Sequence, residues 1–534
     1  MKHRLLPWTT ALRVWQESAF QSVLSHPGHD FLVVATPGAG KTRLALRVAH
    51  HALTAGKVRR IVVVCPTSHL REQWAEAGHR DGLQLAPDIA NRHAREADDY
   101  HGMTVTYQQI CAEPAVYRRR SAQEPTLVVF DEIHHAGEGK EWGEALRRAF
   151  EPASQRLLLS GTPFRTDDNP IPYVRYNADR RSIADFTYGY LDAIKEGVCR
   201  PILFPSYEGE VSWVSQGRTM EATFRDGLKK AQRRERLKTA LLQEEWLEDV
   251  VADADAKLSE IRTNGHANAG GLVVAMNQTH ARAVADLLRR VTGETASVAV
   301  SDDPGASRTI RAFARSQRRW LVAVNMVSEG VDIPRLRVGV YASNVLTEMY
   351  FRQVVGRFVR MSHTGGQDVR AYLYISRDPT LVSYARQIQQ ERNHALRPDG
   401  GALDEATRQV QAQGTPNNEY LPLRAVAQED ECIGDDFTLT SPDTPATSAP
   451  PIPEAAPVLS SNALPLFEQK QAKRELHKRL VSQLALRDKL EHRLINLSLK
   501  EQTGTSIDRA TMQQLDARIR LLQRWLEKGY SGRR

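Results

Sequence analysis

Phe31-Leu32-Val33-Val34-Ala35-Thr36-Pro37-Gly38-Ala39-Gly40-Lys41-Thr42 is the stretch that decides the fold of this chain. An apolar, β-rich run, Phe31–Val34, enters a glycine-bearing loop, and from Thr42 to Ala55 the pattern is helical. A loop between a strand and a helix turns backbone N–H groups and the positive helix end toward an anion. Lys41 adds a mobile charge suited to the β- and γ-phosphates of ATP, and the Thr42 hydroxyl is placed to ligate Mg2+. Thr36, Pro37, Gly38, Ala39, Gly40, Lys41 and Thr42 are therefore the expected phosphate cradle. A glycine-rich turn without chemistry would not need strand, loop, Gly-Lys-Thr and helix in this order.

Asp131-Glu132-Ile133-His134 follows a second apolar run, Leu127–Phe130. A carboxylate at the tip of a neighbouring parallel strand reaches the metal held at the phosphate loop, because ligands collect at the carboxyl ends of such strands. Asp131 is the expected metal-side carboxylate beside Thr42, and Glu132 the residue that positions and activates the attacking water. His134 is a candidate relay of nucleotide state, whereas His135 reads as structural or solvent-facing.

These residues resemble the motifs of the superfamily 2 helicases of the D-E-x-H type, and further matches occur in the family's order. Ala35 stands where the strict phosphate-loop pattern has Gly, a swap common in helicases. Leu12–Gln16 resembles the upstream element in which Gln16 reads adenine. Pro66–Leu70 and Thr106–Gln108 match positions that contact the nucleic-acid backbone, and Ser160-Gly161-Thr162-Pro163-Phe164-Arg165 matches the motif coupling hydrolysis to movement. Asn325–Pro334 matches the fifth motif, with Gly330 allowing close backbone approach and Asp332 meeting the ribose or a coupling partner. Gln353-Val354-Val355-Gly356-Arg357-Phe358-Val359-Arg360 fits Q-x-x-G-R-x-x-R. On one helix Gln353, Arg357 and Arg360 would share a face, and a guanidinium fork suits a phosphoryl group gaining charge. The resemblance makes the two arginines fingers supplied in cis. It covers residues 5–380 and implies ATP and Mg2+ as cofactors and nucleic acid as partner, with DNA favoured over RNA.

Strand-like runs continue at Ile61–Val64 and Arg156–Leu159, and again at Gly271–Met276, Ala296–Val300, Trp320–Val324, Val338–Tyr341 and Ala371–Ile375. Helical stretches such as His69–Ala77 and Gln278–Arg290 separate them, which is the pattern of parallel sheets covered on both faces. The expected fold is α/β, with two tandem parallel-sheet lobes that the resemblance makes RecA-like. The first lobe spans residues 1–178 and the second 179–430, with a helical insertion at about 216–262. A Pro- and Ser-rich segment, 431–466, reads as a flexible linker. Residues 467–534 read as a helical hairpin built from Phe467–Leu499 and Asp508–Lys528. That hairpin folds back on the second lobe, binds a protein partner, or acts as a basic arm.

The chain's 534 residues call for two or three domains, and a net charge of +8 suits an anionic partner. No run is long and apolar enough for a bilayer, and the opening residues lack a signal-peptide core. Four dispersed cysteines form no metal knuckle, so a reducing cytoplasm is expected. Two other classes compete with a translocating ATPase. A ring ATPase would take its arginine from a neighbouring subunit, and Arg357 and Arg360 in the same chain speak against it. An assembly module of a defence or repair complex would use hydrolysis as a switch.

Overall fold

The computed structural model describes residues 5, 7–91, 95–137, 140–161, 170–178, 180–300, 303, 306–324, 333–361, 370–393, 420–434 and 464–532. It divides into two compact units. One comprises Met1–Val34, Gly40–Thr187 and Asp443–Arg534, and the other Ala35–Ala39 and Tyr188–Pro442.

The first unit is built on β1 (Asp30–Ala35), β2 (Arg60–Cys65), β3 (Leu85–Ala86), β4 (Gly102–Thr106), β5 (Thr126–Phe130) and β6 (Gln155–Ser160). A two-stranded ribbon, β7 (Arg175–Tyr176) with β8 (Ser182–Ile183), precedes the edge strand β9 (Phe186–Tyr188). The sheet order is β3-β4-β2-β5-β6-β1-β9, and β1 to β6 pair in parallel. Every residue of β2, β4 and β5 is buried. Helices cover both faces, so these strands are apolar throughout rather than alternating. Parallel pairing also places all the strands' carboxyl ends on one edge. There β6 lies between β5 and β1, so Ser160 and Gly161 fall between the acidic pair and the phosphate loop.

The second unit repeats the plan with β10 (Ile202–Glu208), β11 (Glu210–Ser215), β12 (Arg218–Thr223), β13 (Gly270–Ala275), β14 (Ser297–Ala299), β15 (Trp320–Val324), β16 (Leu336–Ala342), β17 (Ala371–Ser376), β18 (Tyr420–Ala425) and β19 (Gln428–Ile433). The main sheet runs β14-β15-β13-β16-β17-β10-β19, parallel except for the antiparallel edge strand β19. The two sheets are those of two RecA-like lobes, as expected.

Three local readings are corrected. The segment from 216 opens as a hairpin rather than a helix: β11 and β12 pair across Gln216 and Gly217, which have φ of 51° and 73°. A two-residue loop with both φ positive suits the twist of a hairpin. Its helices, Lys230–Leu242 and Glu244–Thr263, then pack Leu237 and Trp246 into a core with Trp213 and Phe224. The stretch read as linker begins too early, because Glu431–Ile433 end β19, while residues 435–463 lie outside the described residues. The terminal hairpin is three helices: Leu466–Asp488, His492–Thr503 and Met512–Lys528. Lys489, in the left-handed region at φ 51°, breaks the first pattern. These helices belong with the first unit, not the second. Lys470, fully buried, donates to Asp99 at 2.5 Å and to the Ala510 carbonyl at 3.1 Å. Asp99 also accepts from the Met512 backbone N–H at 2.9 Å.

Candidate nucleotide site

The helix Lys41–Thr54 starts at the carboxyl end of β1 because Gly38 and Gly40 turn the loop, with φ of 86° and 99°. A side chain at these angles is strained, and a Cβ on Gly40 would lie 2.8 Å from Gln16 Nε2. Gln16 is buried. Its amide donates to the Gly40 carbonyl at 2.9 Å and accepts from the Arg13 backbone N–H at 2.9 Å. The residue expected to read adenine thus pins the first helix to the loop. Thr36 and Ala39 are buried, Pro37 and Thr42 half-buried.

Lys41 points to the acidic pair, its Nζ 3.3 Å from Glu132 Oε1. Glu132 Oε2 accepts from the Gly161 backbone N–H at 3.0 Å and lies 3.6 Å from His134 Nδ1. His134 in turn meets the Ser160 hydroxyl at 3.2 Å. Glu132 adopts φ 50°, a conformation that costs a non-glycine residue roughly 1–2 kcal/mol. The strain is offset by a carboxylate held from three sides. Burial works against its charge, but Lys41, His134 and the Gly161 N–H together bring the carboxyl below its ordinary range.

Asp131 is buried differently. Its Oδ2 accepts from the Trp74 indole N–H at 2.8 Å, and the Tyr107 hydroxyl donates to its carbonyl at 2.9 Å. Burial, and then the charge of Glu132, raise the Asp131 carboxyl above the usual carboxylate range, against the opposing pull of Trp74, Lys41 and His135. Two adjacent carboxylates thus have unlike environments, the arrangement that separates roles in a catalytic pair. Trp74 was not visible as a site residue in the sequence, since an indole on an amphipathic helix reads as core. His135 is buried, not solvent-facing.

Donor chemistry at this edge fits Mg2+, which takes few protein oxygens and keeps waters and phosphate oxygens as its other ligands. The Thr42 hydroxyl and the Asp131 oxygen not bonded to Trp74 are the pair that would hold it.

In the second unit Gln353 and Arg357 lie on the helix Glu348–Phe358, Arg357 buried and Gln353 half-buried. Arg360 does not share that helix. Val359 caps it, and Arg360 leaves to form a β-bridge with Cys199. Ala35–Ala39 packs in this unit, where a Cβ on Gly356 would meet Pro37 Cβ at 2.2 Å and one on Gly38 would meet Arg360 Cγ at 2.7 Å. Gly356 is thus a glycine because the loop lies against it. Gly330, Asp332 and the residues Thr162–Arg165 lie outside the described residues.

The model of the type III restriction enzyme res subunit matches residues 9–165, the span that carries Gln16, Lys41 and the acidic pair. Uncharacterized protein Rv2917 of Mycobacterium tuberculosis is 42% identical over 493 residues, covering 90% of this chain and 80% of that protein. DNA 3'-5' translocase XPB2 of Sulfurisphaera tokodaii is 25% identical over 365 residues, covering 62% of this chain and 74% of its own. The chain belongs to the superfamily 2 helicases. A solved structure of the ATP-dependent type ISP restriction-modification enzyme LlaBIII bound to DNA overlays at a TM-score of 0.48, with 14% identity, covering 72% of this chain and 30% of that one. Among the described residues of this superfamily 2 protein no helix is long and apolar enough to cross a membrane.

Proposed function

We propose that this chain is an ATP-dependent translocase or helicase that hydrolyses ATP at Lys41, Asp131 and Glu132 and moves on nucleic acid, DNA in preference to RNA. The observation that carries the reading is the connected set Lys41–Glu132–Gly161 with His134 and Ser160. It joins the group that meets a γ-phosphate to the end of β6, where the coupling motif begins.

The chemistry follows from what each side chain can do. The N–H groups of the loop from Thr36 to Gly40 and the start of the next helix receive the phosphates. An arriving γ-phosphate competes for Lys41 and draws it from Glu132. Glu132, kept ionised and held by Gly161, then orients a water and takes its proton as the water oxygen bonds to the γ-phosphorus. The bond from that phosphorus to the β–γ bridging oxygen breaks, leaving ADP and inorganic phosphate. Mg2+, which Thr42 and Asp131 would hold, would neutralise charge on the phosphates. Arg357 and Arg360 are assigned to the charge that develops on the transferring group, Gln353 to its positioning, and Gln16 to the base. Gly330 and Asp332 keep the roles the family resemblance implies.

Preference for DNA is supported by the XPB2 relative, whose name describes a DNA translocase. In a second form of the proposal the chain is a nucleic-acid-activated ATPase within a larger defence or repair assembly and separates no strands.

ATPase rates measured alone and with single-stranded, duplex and forked DNA and with RNA test the reading. Stimulation by a DNA ligand is expected, and no stimulation by any of them would overturn it. Lys41→Ala should abolish turnover in every case.

A further inference from the structure

The charge of this protein is unevenly distributed. Residues 464–534 contain 16 Lys and Arg against 8 Asp and Glu, a net +8 equal to that of the entire chain, and residues 1–463 balance at 56 of each sign. All the electrostatic bias toward an anionic partner therefore lies in the C-terminal three-helix module. That module has its own core around Val481, Leu484, Ile495, Leu522 and Trp525, and Arg520 and Arg524 are among the basic side chains exposed on its packed body.

One part of the surface is shaped as well as charged. A cleft of about 370 Å³ lies between the end of the helix His492–Thr503 and the helix Met512–Lys528. Gln502 comes from one side, and Gln513, Ala517, Arg520 and Arg524 from the other. The last four recur at helical spacing along one face, with the small Ala517 leaving room between the long side chains. Arg520 and Arg524 are exposed and form no ion pair among the described residues, unlike Lys470 and Arg474, which pair with the lobe, and Lys473, which pairs with Asp516. Guanidinium forks beside glutamine amides are donors suited to phosphate oxygens and sugar hydroxyls.

The module is also tied to the first lobe's expected strand-contact segment. Arg474 pairs with Asp88 at 2.5 Å. One residue on, the Ile89 carbonyl accepts from Gln109 Nε2 at 3.1 Å, and Gln109 closes the capping box with Thr106. A short chain of polar contacts therefore fixes the module relative to Thr106–Gln108.

We infer that the Arg520–Arg524 cleft is a second nucleic-acid site, which holds the phosphate backbone beyond the segment gripped by the motor. This rests on the nucleic-acid reading above. The two arginines neutralise about two phosphates, so they act as a salt-sensitive, sequence-independent grip.

The test uses the full chain and duplex DNA of about 30 base pairs, a length chosen to extend past a single motor footprint. Affinity is read by fluorescence anisotropy across a salt series, with basal and stimulated ATPase alongside. Arg520→Ala with Arg524→Ala should weaken binding roughly tenfold, reduce the salt slope by about 2, and leave basal ATPase unchanged. Lys489→Ala with Arg493→Ala removes the same charge from exposed positions outside the cleft and should change affinity far less. An unchanged affinity and slope in the cleft variant would overturn the inference, as would equal losses in both variants. Failure of DNA to bind or stimulate the unmodified chain would instead overturn the nucleic-acid reading itself.

Discussion

Glu132 holds a strained backbone in the candidate site, and its surroundings explain why it is retained. The φ of 50° aims its carboxylate at Lys41 and Gly161. Glycine relieves that backbone strain and alanine does not, so Glu132→Gly should be more stable than Glu132→Ala by about 1 kcal/mol in denaturant midpoints, both lacking ATPase. Equal midpoints would show that the backbone relaxes once the carboxylate is gone. Glu132→Gln should keep nucleotide binding and slow hydrolysis at least a hundredfold in single-turnover assays. Trp74 is the residue the sequence concealed. Its indole N–H favours the charged form of Asp131, and hydrogen bonds to charged groups contribute about 1.5–3 kcal/mol. Trp74→Phe should therefore raise the Mg2+ concentration needed for half-maximal ATPase about tenfold or more. An unchanged Mg2+ dependence would remove Trp74 from the site.

At the scale of elements, strands buried on both faces were legible because parallel pairing demands continuous apolar runs. Those missed have specific reasons. In β4 the leading residue is Gly102, and a Cβ there would lie 2.0 Å from the Ile61 carbonyl oxygen. Close backbone approach selects glycine at a position where propensity argues against a strand. Gly102→Ala should destabilise the chain by about 2 kcal/mol or more, because the obstructing atom is backbone and cannot rotate away. A thermal midpoint equal to the parent would contradict that packing. Pro205 hides β10 in the same way, since a proline mid-strand counts against the assignment. Here it sits where the pairing with β19 shifts register. The acidic β19 is held at the sheet edge by ion pairs of Arg225 and Arg377 with Asp430, which no apolar pattern announces.

Across the molecule, the C-terminal module is joined to the first lobe through a buried ion pair, Lys470–Asp99, with Lys470 also over the Tyr100 ring at 4.4 Å. Removing one partner of such a pair costs about 3–5 kcal/mol. Asp99→Asn should therefore loosen the module, seen as earlier proteolytic release of the last 70 or so residues, with basal ATPase retained. Release at the parental rate would place the docking energy elsewhere. The module also carries a pH dependence. Burial, and secondarily Arg518, push His477 down to about 4 from its ordinary 6.5. Its neutral form is the native one, so the contribution is complete above pH 6.5 and is lost as pH falls toward 4. The loss amounts to about 3 kcal/mol. Replacing His477 with Gln should flatten the stability curve over that window, and an unaltered slope would assign the dependence to other groups.

The strand, loop and helix of residues 31–42, and the strand whose end carries Asp131 and Glu132, were readable in one dimension. The chemistry proposed for them depends on residue type at fixed spacing, and a strand-loop-helix enforces that spacing locally. The two α/β sheets were readable for the same reason, through apolar period. Which groups hold those carboxylates was not, because Trp74 and Gly161 reach them through strand order, with β2 and β6 set on either side of β5. Nor was the seat of the terminal helices on the first lobe rather than the second. That depends on Lys470 meeting Asp99 across 371 positions of sequence, a pairing of opposite charges that only the folded chain brings together.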